Sequence, residues 1–77
     1  MKKNDKYVLH NNLKFYRELC DLTQSELGFL CSVSKNTISS IEIGTTSPSI
    51  TLALVICSIL DNHCPMLKVT IDDVFYL

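Results

Sequence analysis

Residues 23–44 read TQSELGFLCSVSKNTISSIEIG, and this stretch decides the fold. Thr23 and Glu26 stand three residues apart, as in a capping box. In that motif the hydroxyl of the first residue accepts from the backbone amide of the fourth, and the carboxylate of the fourth accepts from the backbone amide of the first. Leu27, Leu30 and Cys31 then recur at helical spacing. The pattern therefore predicts a short helix over residues 24–31.

A second helix follows after a three-residue break at residues 32–34. Ser34 is placed to cap this helix, and Ile38 and Ile41 lie three apart on its inward side. The outward side carries short or flexible hydrogen-bonding groups, namely Lys35, Asn36, Ser39 and Ser40. Two short helices, a tight turn and one polar face predict a helix-turn-helix, whose second helix fits the major groove of B-DNA.

The whole run resembles the Cro-like phage-repressor family of helix-turn-helix domains. That family commonly shows Leu-Thr-Gln-x-x-Leu-Ala, then Gly-Val-Ser-x-x-Thr-Ile-Ser, then Ile-Glu-x-Gly, and a Pro-Ser that opens the next helix. The corresponding runs here are LTQSELG, SVSKNTIS, IEIG and Pro48-Ser49. Gly28 replaces the usual alanine, and Ser32 replaces the glycine that the turn normally uses at positive φ.

The resemblance implies an all-α, five-helix repressor-like domain over residues 11–77, with its motif at residues 23–44. It also implies a short antiparallel ribbon between the two end segments, with one strand at residues 7–10 and the other within residues 74–77. Residues 1–10 are expected to form a basic arm, which either touches a phosphate or is a solvated tail. Thr70 and Asp73 form a second capping box that starts the fifth helix.

The resemblance also assigns roles to residues at matching positions. Lysine can donate to guanine O6 and N7, and asparagine can pair with adenine N6 and N7, so these side chains suit base reading. The implied base-reading residues are Lys35, Asn36 and Ser40, and Ser39 either joins them or bonds a phosphate. The implied phosphate contacts are Thr23, Gln24, Ser34, Thr45 and Thr46, and the alternative for the serine and threonine cluster is an ordinary solvated face.

An ion pair between Arg17 and Glu42 is a further implication of the resemblance, because the family pairs an arginine at this point with the glutamate of Ile-Glu-x-Gly. The pair would tie the first helix to the end of the recognition helix. An exposed, unpaired arginine is the alternative.

The first and fourth helices carry the remaining apolar pattern. Leu13, Tyr16 and Cys20 are expected on the buried side of the first helix, with Phe15, Leu19 and Leu22 continuing that surface. Residues 50–60 are apolar nearly all round, so the fourth helix is either central to the core or also meets a partner.

A homodimer on double-stranded DNA is the leading functional hypothesis, as a sequence-specific transcriptional regulator acting as a repressor. The candidate dimer surface is C-terminal and comprises Leu67, Val69, Val74, Phe75, Tyr76 and Leu77. The competing hypothesis is a protein-interaction module of the same fold, such as an antirepressor or antitoxin-like partner. Low net charge and two apolar residues at usually polar positions, Phe29 and Ile43, favour this second hypothesis.

Composition limits the class of protein. The 77 residues allow one small domain, and the 47% hydrophobic content argues against disorder. No apolar run approaches the roughly 20 residues of a membrane span, and no apolar segment follows the N-terminal lysines, so a cytoplasmic protein is expected. Net charge is −1, but residues 1–17 carry five basic groups against one acidic group, and the remainder carries two against seven.

No pattern of catalysis or metal binding is expected from these residues. Cys20, Cys31, Cys57 and Cys64 lack Cys-x-x-Cys spacing and are interpreted as reduced thiols, with Cys64 the most exposed. The two histidines belong to no Ser-His-Asp arrangement. Only two glycines occur, so no phosphate-cradling loop is predicted, and neither an enzyme nor a cofactor is expected.

Overall fold

The computed structural model describes residues 7–77, which form five α-helices and a two-stranded ribbon. In chain order these are β1 (His10–Asn11), α1 (Leu13–Leu19), α2 (Gln24–Cys31), α3 (Lys35–Glu42), α4 (Ile50–His63), a 3₁₀ turn (Pro65–Leu67), α5 (Ile71–Val74) and β2 (Phe75–Tyr76). The all-α five-helix fold with a small ribbon is therefore confirmed. Residues 1–6 of the predicted basic arm lie outside the described residues.

The ribbon is antiparallel, with His10 opposite Tyr76 and Asn11 opposite Phe75. Its first strand lies at His10–Asn11 and not at residues 7–10, which corrects the predicted bounds. The pairing continues past the strand, because the Asn12 amide donates to the Val74 carbonyl at 2.8 Å. The rings of His10 and Tyr76 stack with centroids 5.7 Å apart. The ribbon thus joins the start of α1 to the end of α5.

Helix starts follow the predicted caps. The Thr23 hydroxyl accepts from the Glu26 amide at 3.0 Å, and the Glu26 carboxylate accepts from the Thr23 amide at 2.8 Å. Ser49 caps α4 by accepting from the Leu52 amide, and the Asp73 carboxylate accepts from the Thr70 amide at 2.9 Å. These side chains take up amides that have no partner inside the helix.

The turn between α2 and α3 uses Ser32 in the left-handed conformation, with φ 61° and ψ 36°. Glycine adopts this region freely, whereas residues with a Cβ are strained there. Gly28 packs against the backbone of the turn before α3, and a Cβ at this position would stand 2.8 Å from the Val33 carbonyl oxygen. Gly28 therefore permits the close packing of this turn, and with it the start of α3, against α2.

The core lies between α2, α3, α4 and the inner side of α1, closed at one end by α5 and β2. Its buried apolar members are Leu13, Cys20, Leu27, Cys31, Ile38, Ile41, Ala53, Ile56, Cys57, Leu60, Val69, Val74 and Phe75.

One prediction, about the first helix, needs correction. Phe15 and Leu19 are exposed, because α1 has neighbours on one side only and these two side chains turn away from them. The fourth helix buries one face in the core, but Ile50, Leu54 and Val55 face solvent. Its outer face is therefore apolar and uncovered in the single chain.

Candidate nucleic-acid interface

The outer face of α3 carries all four residues expected to read bases. Lys35 and Asn36 are exposed, and Ser39 and Ser40 are half-buried. Residues four apart on a helix share a face, so Lys35 lies above Ser39, and Asn36 lies above Ser40. The opposite side of α3 is fixed by its buried isoleucines, so this polar face is turned towards solvent.

The start of α2 offers free backbone donors. Its first two amides, of Gln24 and Ser25, have no acceptor within the helix, while the third is taken by Thr23. Partial positive charge collects at a helix N-terminus, so these amides suit an anion such as a phosphate. The exposed Thr23 hydroxyl accepts one bond as the cap and still has its own hydrogen to donate.

The side chain of Gln24 has a second role that the sequence pattern did not suggest. Its Nε2 donates to Glu42 Oε1 at 3.0 Å, so the side chain is drawn towards α3 and is half-buried. An amide nitrogen carries two hydrogens. One bonds Glu42, and the other remains available for a phosphate.

Three other expected phosphate contacts have their polar groups partly engaged within the chain. The Ser34 hydroxyl accepts from the Thr37 amide at 3.1 Å and shares a hydrogen bond with the Thr37 hydroxyl at 3.0 Å. The amides of Thr45 and Thr46 donate to the Ser40 carbonyl at 2.9 and 3.3 Å. Only the exposed hydroxyls of these two threonines are therefore free to meet a ligand.

An ion pair between Arg17 and Glu42 lies behind this face. Arg17 Nε donates to Glu42 Oε2 at 2.6 Å, and a second guanidinium nitrogen donates to Oε1 at 3.2 Å. The two side chains are only 8% and 3% exposed. The hydrogen bond to Glu42 raises the pKa of Arg17 above its ordinary value, so the arginine is charged at any pH at which the protein is folded.

The same pair fixes the orientation of α3. Arg17 also donates to the Leu22 carbonyl at 2.8 Å, so one guanidinium joins α1, the segment before α2, and the end of α3. Glu42 accepts from both Arg17 and Gln24. Arg17, Gln24 and Glu42 together therefore hold the end of α3 against the rest of the fold.

Asn11 adds another tether that sequence reasoning missed. Its Nδ2 donates to the Ile41 carbonyl at 2.9 Å, and its Oδ1 accepts from the Leu13 amide at 3.0 Å. The Oδ1 contact takes up the first amide of α1. The contact with α3 spans thirty positions of sequence, so no local pattern could indicate it.

The electrostatics around the start of α2 and α3 are mixed. Lys35, Thr23 and Gln24 line one open cleft, but Glu18 and Asp21 line it too. Because carboxylates repel phosphate, the DNA backbone can approach this cleft only on the side that carries Lys35 and the α2 amides.

The predicted dimer surface requires a correction. Val69, Val74 and Phe75 are buried in the core of the single chain and are closed to a partner. Val74 and Phe75 are buried because α5 and β2 fold back onto the core, and Val69 lies in the segment just before α5. Only Leu67, Tyr76 and Leu77 of the predicted set are exposed.

Two further observations limit the chemistry of the described residues. No group of three or more histidine, cysteine or carboxylate side chains is placed to hold a metal ion among residues 7–77. Within the same span, no helix has the length and apolar character that crossing a membrane requires.

Comparisons with known proteins agree with this geometry. A family model described as helix-turn-helix matches residues 13–65, which run from the start of α1 to the 3₁₀ turn. The chain is also 39% identical over 67 residues to an uncharacterized HTH-type transcriptional regulator of Methanocaldococcus jannaschii. That similarity covers 87% of this chain and 91% of the archaeal protein.

Proposed function

Because this chain belongs to the Cro-like helix-turn-helix family, we propose that it is a DNA-binding transcriptional regulator that reads operator sequence with α3. The proposal rests on the exposed polar face of α3, whose orientation is fixed by the buried Arg17–Glu42 ion pair on the inner side of the helix. A relative named as a transcriptional regulator, similar over most of both chains, supports the same function.

The contacts divide into two kinds. Lys35 and Asn36 carry the long side chains of the face, and these two reach base edges, where each good bidentate contact contributes about 1–3 kcal/mol of discrimination. Ser39 and Ser40 are less exposed and have short side chains, so they contact only DNA groups that lie close to the surface of α3. The α2 amides, Thr23 and Gln24 fix the register on the phosphates, which carry no sequence information of their own.

Repression by a homodimer is the form of regulation we propose. One module of this size buries only about 600–1,000 Å² on DNA, which is small for a specific complex. A two-fold dimer would place two α3 helices about 34 Å apart, on successive major-groove turns of a pseudo-palindrome. Occupying such an operator blocks access to a promoter and needs no further activity from the protein.

The candidate dimer surfaces are two. One is the exposed remainder of the C-terminal set, Leu67, Tyr76 and Leu77; the other is the apolar outer face of α4, with Ile50 and Leu54 four residues apart. Sedimentation of Leu54→Glu and Leu77→Glu separates them, since a charge placed at the true interface gives a monomer. If the unaltered chain is itself a monomer when bound to DNA, the dimer proposal fails.

The decisive experiment measures discrimination between specific and random DNA. Fluorescence anisotropy would follow binding of the full chain to DNA from upstream of its own gene and to a scrambled duplex. The Lys35→Ala/Asn36→Ala variant should lose at least tenfold in the ratio of the two affinities while keeping its thermal midpoint. A matched control is Lys68→Ala/Asn62→Ala, which removes the same two residue types from exposed positions near the 3₁₀ turn.

Two results would contradict the regulator proposal. One is the absence of DNA binding even at low salt; the other is an equal effect of the control and test variants on discrimination. The first result would favour the second candidate, a protein-interaction module. That candidate draws its support from Phe29 and Ile43, which are 83% and 75% exposed.

A further inference from the structure

Two cysteines from opposite ends of the sequence meet at one corner of the fold. Cys20 follows α1 directly, and Cys64 follows α4 directly. The Cys20 thiol donates to the Leu60 carbonyl at 3.6 Å, and the backbone amide of Cys64 donates to that same carbonyl at 2.9 Å. In return, the Cys64 thiol donates to the carbonyl of Leu19, the neighbour of Cys20, at 3.8 Å.

Each thiol therefore lies against the backbone that carries the other. Burial and, after it, the neighbouring Cys64 thiol raise the pKa of Cys20 to about 12. The remaining cysteines, Cys31 and Cys57, lie inside the core on α2 and α4.

The two thiols differ in their access to solvent. Cys20 is 7% exposed, whereas Cys64 is half-buried at the edge of an open cleft of about 370 Å³. Leu19, Pro65, Met66 and Leu67 line this cleft beside Cys64. A small reagent can therefore reach Cys64 first, with Cys20 behind it. This is the arrangement of an attacking thiol and a resolving thiol.

A zinc site does not explain the pair. Tetrahedral zinc needs four ligands, of which at least three come from the protein. No third histidine, cysteine or carboxylate joins Cys20 and Cys64 in the part of the chain that the structure describes.

We propose that Cys20 and Cys64 are a redox-active dithiol that low-molecular-weight disulfides convert into an intrachain disulfide. The Cys64 thiolate attacks one sulfur of the small disulfide, whose S–S bond breaks and releases one small thiolate. The Cys20 thiol then loses its proton to solvent and attacks the Cys64 sulfur, which releases the second small thiol. The two protein thiols lose two electrons, and the small disulfide gains them.

The cross-link would enclose the helix-turn-helix. Residues 20–64 contain α2, α3 and α4, so the disulfide would close a ring around the whole motif. Such a ring restricts the unfolded chain and raises stability. Since neither cysteine lies on α2 or α3, the polar face of α3 stays open, and the inference is independent of DNA binding.

The test uses the full chain in glutathione buffers of increasing oxidised fraction, quenched with N-ethylmaleimide in urea so that buried thiols also react. The reduced chain should take four maleimides, one for each cysteine. The oxidised chain should take two and yield one cross-linked peptide pair, containing Cys20 and Cys64, after proteolysis. Its thermal midpoint should rise by several degrees and fall back on addition of dithiothreitol.

Variants sharpen the result without being essential to it, since peptide mapping needs only the unaltered chain. Cys64→Ser should take three maleimides at every buffer ratio, because Cys20 has lost its partner. Cys57→Ser is the matched control and should still form the cross-link. Retention of four free thiols in oxidised buffer, a stable glutathione adduct on Cys64, or a bond through Cys31 or Cys57 would each overturn the proposal.

Discussion

Gly28 shows how a single residue sets the distance between two helices. A Cβ there would meet the carbonyl oxygens of Val33 and Ser34 at 2.8 and 3.1 Å, and both are backbone atoms that cannot swing aside. Helices of the resembling family commonly use alanine at this place. The close contact between α2 and the turn before α3 therefore depends on the missing methyl group.

Replacing Gly28 by alanine should destabilise the protein. Alanine gains about 1 kcal/mol of helix propensity, but forcing a methyl group into a filled contact costs about 1–3 kcal/mol. We expect a net loss of unfolding free energy in urea and weaker DNA binding, because the start of α3 must move. Asn62→Ala, at an exposed position of α4, is the control and should change neither quantity; a more stable Gly28→Ala protein would contradict this account.

The Arg17–Glu42 pair gives the second prediction at this scale. Arg17→Met leaves a buried carboxylate without its cation, which costs about 3–5 kcal/mol. The double variant Arg17→Met/Glu42→Met should lose less than the sum of its two single variants, because it strands no charge. Urea unfolding of the four proteins measures this non-additivity. Strictly additive losses would show that the two side chains act separately.

Whole helices illustrate which parts of the structure local sequence determines. The bounds of α2 match the predicted residues 24–31, because the capping box marks its start and the Ser32 turn marks its end. Helix α4 ends at His63, within the polar residues 61–63 that follow its apolar run. Local sequence therefore indicated the end of this helix as well.

The capping box of α2 predicts a dependence of stability on pH. The hydrogen bond from the backbone amide of Thr23 is the main cause that lowers the pKa of Glu26 from its ordinary value near 4.5. A carboxyl whose pKa falls on folding stabilises the protein above its unfolded pKa, and this contribution disappears as pH falls through the folded pKa. The effect should therefore be full at neutral pH and fade below about pH 4.5.

Thermal unfolding of Glu26→Gln against pH would measure this contribution. The variant should be less stable than the unaltered chain at pH 7, and the two should converge in acid, where a protonated glutamate resembles glutamine. Glu18→Gln, on α1 and outside any capping box, serves as the control. A stability difference between the Glu26→Gln variant and the unaltered chain that persists unchanged in acid would exclude the charge as its cause.

Charge is the feature that belongs to the molecule as a whole. Arg17 is neutralised by Glu42, which leaves Lys14, Lys35 and Lys68 as the other basic side chains (lysine or arginine) in the described part of the chain. Every α-helix carries at least one acidic side chain, including Glu26 on α2 and Glu42 on α3. Contacts of the described residues with DNA should therefore depend more on hydrogen bonds than on counterion release.

The salt dependence of DNA affinity tests this view. Each phosphate neutralised contributes about −0.9 to the slope of log K against log salt, so we expect a shallow slope of about −2 to −4 for each protomer. Lys35→Ala should reduce the slope by about one unit, and Lys68→Ala should leave it unchanged. A slope steeper than about −8 for each protomer would show a far larger electrostatic surface than these residues provide.

Long-range packing is what the sequence could not supply. The helix-turn-helix motif and its polar face can be predicted from residue spacing. The burial of Phe15, Val74 and Phe75 depends on which neighbouring element covers each of them. Helix α1 turns Phe15 outward, and the return of the chain over α4 buries the other two. Apolar residues near a chain end suit a core or a partner equally well, so composition could not decide between them.

The β1–β2 ribbon has a consequence for biosynthesis. His10 and Asn11 are made long before their partners, because Tyr76 and Phe75 follow them by more than sixty positions. The helix-turn-helix can therefore fold inside or near the ribosomal exit tunnel. The contacts between α1 and β2 can form only after the second strand has left the tunnel. If translation stalls before residue 75, the apolar surface beneath α5 stays exposed to chaperones and proteases.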